Sequence, residues 1–200
     1  QTMKNILILG ANGQLARNAT ARFLEVGSDE HVNLKLYLRR ASRLVNPDPR
    51  RVSVVEGDVC NARKLQAAMQ GIDVVFASLS GEMATQAQHI VSAMNAAGVR
   101  RLIFISSMGI YGEVPGQPYR SVLDPYRDSA AVVERSDLEY TVLRPGWFTH
   151  DADIGYQITQ KGQPFIGHDI SLDSLSTLIV KLATSDGLYL RCSLGVSSDH

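Results

Sequence analysis

The sequence predicts an α/β domain: a single doubly wound parallel sheet with helices on both faces. Three observations carry that prediction. Apolar runs of strand length alternate with segments of helical periodicity along the 200 residues. The runs are continuous Val/Ile/Leu stretches, as strands covered on both sides require. The first run passes straight into a glycine-spaced turn, "ILILGANGQLA", that opens a helix.

The elements follow in order. "NILILG" (5–10) reads as a buried strand. "QLARNATARFLEVG" (14–27) sets Leu15, Ala19, Phe23 and Leu24 at helical spacing and closes at Gly27, a C-cap residue type. "NLKLYLRR" and "RVSVVEGD" are the second and third strands. "NARKLQAAMQG" is a short helix, capped by Asn61 and stopped by Gly71. "DVVFASLSG" is the fourth strand, "TQAQHIVSAMNAAGV" a helix and "RLIFISSMG" the fifth strand. "PYRDSAAVVERS" is helical, "EYTVLRPG" the sixth strand, "LDSLSTLIVKLATSD" a late helix and "LYLRCSLG" a last strand. "NPDPR" (46–50) and "GEVPGQPYRSVLDP" (112–125) are loops, the second long enough to be a lid or substrate loop.

Composition bounds the function. The length suits one domain, expected to run from 3 to 200, with Gln1 and Thr2 read as an addition before a native Met3. Twenty basic and twenty acidic side chains cancel, against the basic excess of a nucleic-acid binder. No apolar run approaches the roughly 20 residues that cross a bilayer. No basic segment precedes an isolated apolar one, so a cytoplasmic location is expected. Cys60 and Cys192 form no CxxC or metal-ligand pattern and read as free thiols of a reducing compartment; no metal site is expected. The expected assembly is a monomer or homodimer.

The glycine turn carries the chemistry. Gly10 permits the tight bend, Gly13 lets the backbone approach a pyrophosphate, and Ala16 lets the helix sit near the strand. The helix N-terminus then offers free N–H groups to the anion, with Asn12, Gln14 and Leu15 completing the set. Such a turn also occurs for packing alone. A strand before and a helix after, at the start of an alternating chain, favour a Rossmann-type dinucleotide site.

An NAD site usually places an Asp or Glu after the second strand. Here Asp29 and Glu30 precede that strand, and Arg39, Arg40 and Arg43 follow it. Cations there suit a 2′-phosphate, so NADP(H) is preferred, with NAD(H) as the second candidate. The alternative for these arginines is a solvated basic loop. Asp58 and Val59 end the third strand at the expected adenine pocket; Asp58 is equally a cap for the helix near Asn61. Ser78, Leu79 and Ser80 end the fourth strand and let the cofactor pass closely.

These strings resemble the atypical short-chain dehydrogenase/reductase family, in its NmrA-like, NAD(P)H-binding branch. The resemblance rests on "LILGANGQLA", "EGDVCNARKLQAAMQGIDVVFASLSG", "AAGVRRLIFISSMGIYG" and "SDLEYTVLRPGWFT". It implies a Rossmann fold with the nicotinamide near the ends of strands four to six. Small flavin and biliverdin reductases belong to the same family.

Active members of that family usually carry a Tyr-x-x-x-Lys pair, in which the Tyr exchanges a proton. This chain has none. Its lysines are Lys4, Lys35, Lys64, Lys161 and Lys181, and Tyr111, Tyr119 and Tyr126 are followed four residues on by Pro115, Leu123 and Ala130. Aligned on the family's helix, Tyr126 falls near the Lys position and Val122 at the Tyr position. Arg127, next to Tyr126, points elsewhere on a helix. Ser107 matches the family's catalytic serine. Ser106 adjoins it and is equally a hydroxyl that satisfies backbone groups. Pro145 flanks the nicotinamide site. Trp147 either stacks on a flat substrate or fills core. His150 is a proton donor or an exposed loop residue.

Three functions remain in view. A small NADPH-dependent reductase survives loss of the dyad, because a flavin or other conjugated acceptor can take its proton from solvent. A non-catalytic NAD(P) sensor would bind without turnover. A sugar-nucleotide epimerase or dehydratase fits worst, given the short segment after the sixth strand.

Overall fold

The structure, a computed structural model, describes residues 3–26 and 32–200. The expected C-cap at Gly27 and the pair Asp29 and Glu30 lie outside the described residues.

Strand β1 (Lys4–Leu9) leads into helix α1 (Gln14–Val26), and β2 (Val32–Leu38) and β3 (Val52–Glu56) follow. Helix α2 (Ala62–Ala68) is capped by Asn61, whose side-chain oxygen accepts from the Lys64 N–H at 3.1 Å. After β4 (Val74–Ala77), helix α3 (Met83–Ala97) stops at Gly98, held at φ 74° in the left-handed cap position. After β5 (Arg101–Ile105), helix α4 (Asp124–Arg135) starts with Asp124 and Pro125 and ends with Arg135, matching the helix dipole at each end. The chain closes with β6 (Glu139–Pro145), β7 (Trp147–Thr149), β8 (Gln157–Gln160), β9 (Asp169–Ser171), α5 (Leu172–Thr184) and β10 (Cys192–Ser197).

The main sheet runs β3-β2-β1-β4-β5-β6-β10-β8, and β7 pairs with β9 in a separate two-stranded ribbon. All neighbours in the main sheet are parallel except β10 and β8. This is the doubly wound, Rossmann-type order. Alternate residues of β1 feed the two faces: Ile6 and Ile8 pack beneath α1 and α5, while Leu7 and Leu9 pack beneath α2, α3 and α4. The order reverses between β1 and β4, which opens a crevice at their carboxyl ends.

Three expectations need correction. The sheet is not wholly parallel, because β8 adds to its edge antiparallel. That strand is four residues with polar ends, and edge strands of this kind leave little periodicity to read. The β7–β9 ribbon is shorter still and was not anticipated. The last strand begins at Cys192, because Tyr189 and Arg191 take φ values of 52° and 56°, left-handed conformations that break an extended run.

Candidate active site

A groove of about 680 Å³ lies over the carboxyl ends of β1–β4. The glycine turn forms its floor through Gly10, Asn12 and Gly13. The two glycines of the motif answer to different demands. Gly10 has φ +74°, and a Cβ there would stand 2.1 Å from the Ser78 carbonyl oxygen. Packing of β1 against β4 therefore requires it. A Cβ on Gly13 would meet only the Gly10 carbonyl oxygen, at an ordinary 3.5 Å. Nothing inside the protein demands glycine there. Its missing side chain leaves open the approach to the N–H groups of Gln14 and Leu15, which begin α1 and have no intrahelical acceptor. A pyrophosphate fits that gap. The Leu15 side chain itself is core, only 3% exposed, so its contribution is its backbone.

The turn after β2 supplies Arg39, Arg40 and Arg43 to the groove, and all three are exposed. Glu56 orders that turn, its carboxylate accepting from the Ala41 N–H at 3.0 Å. No carboxylate stands within ion-pair distance of the three arginines among the described residues. Asp58 and Val59 line the groove beside Gly57. Asp58 accepts from the Cys60 N–H at 2.8 Å, while Asn61 caps α2. Ser78, Leu79 and Ser80 form the opposite wall.

Four groove residues, Tyr37, Leu38, Gly57 and Gln86, escaped sequence reasoning. Tyr37 donates its hydroxyl proton to the Asp58 carbonyl at 2.8 Å, pinning the turn after β3. Gly57 is needed because a Cβ would strike that hydroxyl at 2.5 Å. Gln86, one turn into α3, lines the groove, and its amide oxygen has no partner among the described residues. Tyr37 and Gly57 meet across a contact distant in sequence, and only Gly57 was hinted at, by the Gly-Asp-Val spacing.

A second, smaller crevice of about 80 Å³ lies at the ends of β5 and β6. Ser107, Pro145, Gly146 and Trp147 border it from the strand ends. The long loop supplies Val114, Gln117, Pro118, Arg120 and Leu123, none of them singled out in sequence except as part of a loop. Trp147 is 62% exposed, so it is not core. Four strand spacings of about 4.8 Å separate β2 from β6, so groove and crevice span about 19 Å along one rim of the sheet.

Of the remaining candidates, Ser106, Tyr126 and His150 do not border the crevice, and Ser107 does. Ser106 is buried and donates to the Tyr126 carbonyl at 3.0 Å, tying β5 to α4. Ser107, half-buried, donates to the Met108 carbonyl at 2.9 Å. Tyr126 packs against the core beneath α4 and borders neither cavity. His150 is exposed, and its ring Nε2 stands 3.1 Å from the Gln14 amide nitrogen, which brings it to the glycine turn. Arg127 is paired with Asp128 at 3.0 Å.

A buried polar cluster anchors the start of the long loop. Arg144 is fully buried and pairs with Glu113. It also donates to the Ser193 hydroxyl at 2.9 Å and the Ser193 carbonyl at 3.1 Å. The Tyr111 hydroxyl donates to a Glu134 carboxylate oxygen at 2.9 Å and accepts from the Ser193 hydroxyl at 2.7 Å. Burial holds the Tyr111 phenol far above its ordinary value, and the Glu134 carboxylate adds to that. Such a phenol is a poor proton donor.

Among the described residues no helix is long and apolar enough to cross a membrane, and no group of acidic, His and Cys side chains could hold a metal ion.

Known proteins share this design. A Rossmann-fold NAD(P)-binding family protein from Shigella flexneri is 35% identical, with a TM-score of 0.85 over 98% of this chain and 94% of that one. A short-chain dehydrogenase/reductase from Veillonella parvula, solved in complex with NADP, is 30% identical, with a TM-score of 0.86 over 98% and 95%. An NAD(P)H azoreductase from Xenophilus azovorans is 25% identical over 79% of this chain and 54% of that protein. The chain spans about half the length of the curated relatives it matches. The model of the NAD(P)H-binding family matches residues 10–186, taking in the glycine turn, the groove and the crevice alike. This chain belongs to the NAD(P)H-binding family.

Proposed function

We propose that this protein is an NADPH-dependent reductase of a small conjugated acceptor, flavin-like in character. Bound NADPH supplies the hydride, and water supplies the proton that completes a two-electron reduction. The glycine turn and the N–H groups of α1 hold the pyrophosphate. Arg39, Arg40 and Arg43 face the 2′-phosphate, which favours NADPH over NADH. Asp58, Val59, Gln86 and the Ser78–Ser80 wall enclose the adenosine. Ser107 and Pro145 set the nicotinamide against the crevice, where Trp147 offers an open aromatic face to the acceptor.

One observation carries the choice of a conjugated acceptor. The polar side chains in the crevice are Ser107, Gln117 and Arg120, none of which releases a proton readily near neutral pH. Tyr111 is locked in the buried cluster, and Tyr119 is hydrogen-bonded to Asp124. An acceptor that spreads charge over a conjugated system needs no acid at that point. The deciding experiment is titration with NADPH and NADH, followed by NADPH oxidation with a panel of flavins and quinones. Tight NADPH binding with turnover of at least one acceptor is expected. Binding without turnover of any of them would replace this reading with a sensor of cofactor state.

A further inference from the structure

We infer that the acceptor carries an anionic group, and that Arg120 is the residue that selects it. The inference rests on the reductase reading and adds the substrate class.

Arg120 is the one formally charged side chain bordering the crevice. It is exposed, and it has neither an ion pair nor a side-chain hydrogen bond among the described residues. Its surroundings show what compensation looks like. Arg127 is held by Asp124 and Asp128, Arg144 by Glu113, and Lys161 by Glu134. Arg120 is nevertheless held in place by its backbone, since its carbonyl accepts from the Leu123 N–H at 3.0 Å and opens the turn Ser121–Leu123. An uncompensated guanidinium, carried on a hydrogen-bonded turn at the mouth of a crevice with no other charged side chain, favours an anion.

The crevice also limits how the acceptor sits. At about 80 Å³ it is smaller than the roughly 150 Å³ cavity that encloses benzene. A fused ring system therefore cannot be engulfed and must lie open-faced on Trp147. The backbone that carries the indole is fixed: the Trp147 backbone N–H donates to the His168 carbonyl at 2.9 Å, and a Cβ on the preceding Gly146 would strike the same oxygen at 2.2 Å. A ring resting there leaves its substituent to the loop that carries Arg120. The arginines of the groove border the other cavity and do not serve this end.

Trp147 is the sole tryptophan of the chain, so its fluorescence reports occupation of the crevice without any turnover. Wild type and Arg120→Ala, both saturated with NADP⁺, are titrated with riboflavin and with FMN, which share a ring and differ by a phosphate. A second pair, anthraquinone-2-carboxylate and its amide, separates a carboxylate from a phosphate as the anion. Wild type should bind at least one anionic member about tenfold more tightly than its neutral partner, the order that a charge-assisted bond gives. Arg120→Ala should abolish that preference, leave the neutral ligands unchanged, and melt as wild type does. No preference in wild type for either pair, or a preference that survives the substitution, overturns the inference. Absence of NADPH oxidation with all four compounds counts against the reductase reading alone, because quenching still decides this one.

Discussion

Replacing the two glycines of the first turn separates folding from binding. In Gly10→Ala the new Cβ is held at φ +74° and lies 2.1 Å from a backbone oxygen that belongs to Ser78. The left-handed conformation costs roughly 1–2 kcal/mol. The overlap must move one strand end and adds about 1–3 kcal/mol, as overpacking does. The sum is about 2–5 kcal/mol, and at roughly 2–4 °C per kcal/mol for a chain of this size Tm should fall by at least about 4 °C. In Gly13→Ala the Cβ finds only ordinary contact at 3.5 Å and no positive φ. Stability should hold or rise by about 0.4–1 kcal/mol, from the stiffer unfolded chain. Yet that methyl stands where, on the proposed function, the pyrophosphate would meet the helix N–H groups, so NADPH should bind at least about tenfold more weakly, a loss of about 1.4 kcal/mol. Thermal melts and calorimetric titration of both variants decide the matter. Wild-type NADPH affinity in Gly13→Ala, or a wild-type Tm in Gly10→Ala, would refute the division of labour.

Four further outcomes follow from the same geometry. Arg39→Asp should shift the NADPH-to-NADH affinity ratio by at least about tenfold toward NADH, read by paired titrations; an unmoved ratio removes Arg39 from the 2′-phosphate site. Ser107→Ala should lower kcat/KM with any working acceptor by about tenfold while NADPH affinity stays within about twofold. Arg144→Met strands the Glu113 carboxylate in the interior, so urea denaturation should show a loss of about 3–5 kcal/mol. In alkali the Tyr111 phenol matters: native burial favours its neutral form, so its contribution is whole below a pH of about 10 and drains away as pH climbs past that value. Tyr111→Phe should therefore flatten the alkaline decline in stability, and an identical slope in wild type and variant would contradict the assignment.

The parts of this molecule that were readable beforehand are those fixed by neighbours in sequence. Ile6 to Leu9 are fully buried, and an unbroken aliphatic run announces such a strand. Glycine spacing announces the turn, because a tight bend and a close approach are local demands. The capping role of Asn61 was equally local. What stayed hidden depends on distance along the chain. Arg144 meets Glu113 across 31 residues, and Gln14 meets His150 across 136. His150 looked like a neighbour of the nicotinamide because it follows the sixth strand closely. The structure sets the imidazole beside the glycine turn, a contact that the position of His150 in the sequence did not announce. Gln86 carried no signal, since a glutamine inside a helix is ordinary until the cavity beside it is seen.

Every residue bordering the groove lies before position 87, and every residue bordering the crevice lies after position 106. No side chain belongs to both. On the proposed function, the choice between NADPH and NADH would lie in the earlier stretch and the choice of acceptor in the later one. Substitutions in the later stretch should then change the acceptor while leaving the preference for NADPH over NADH in place.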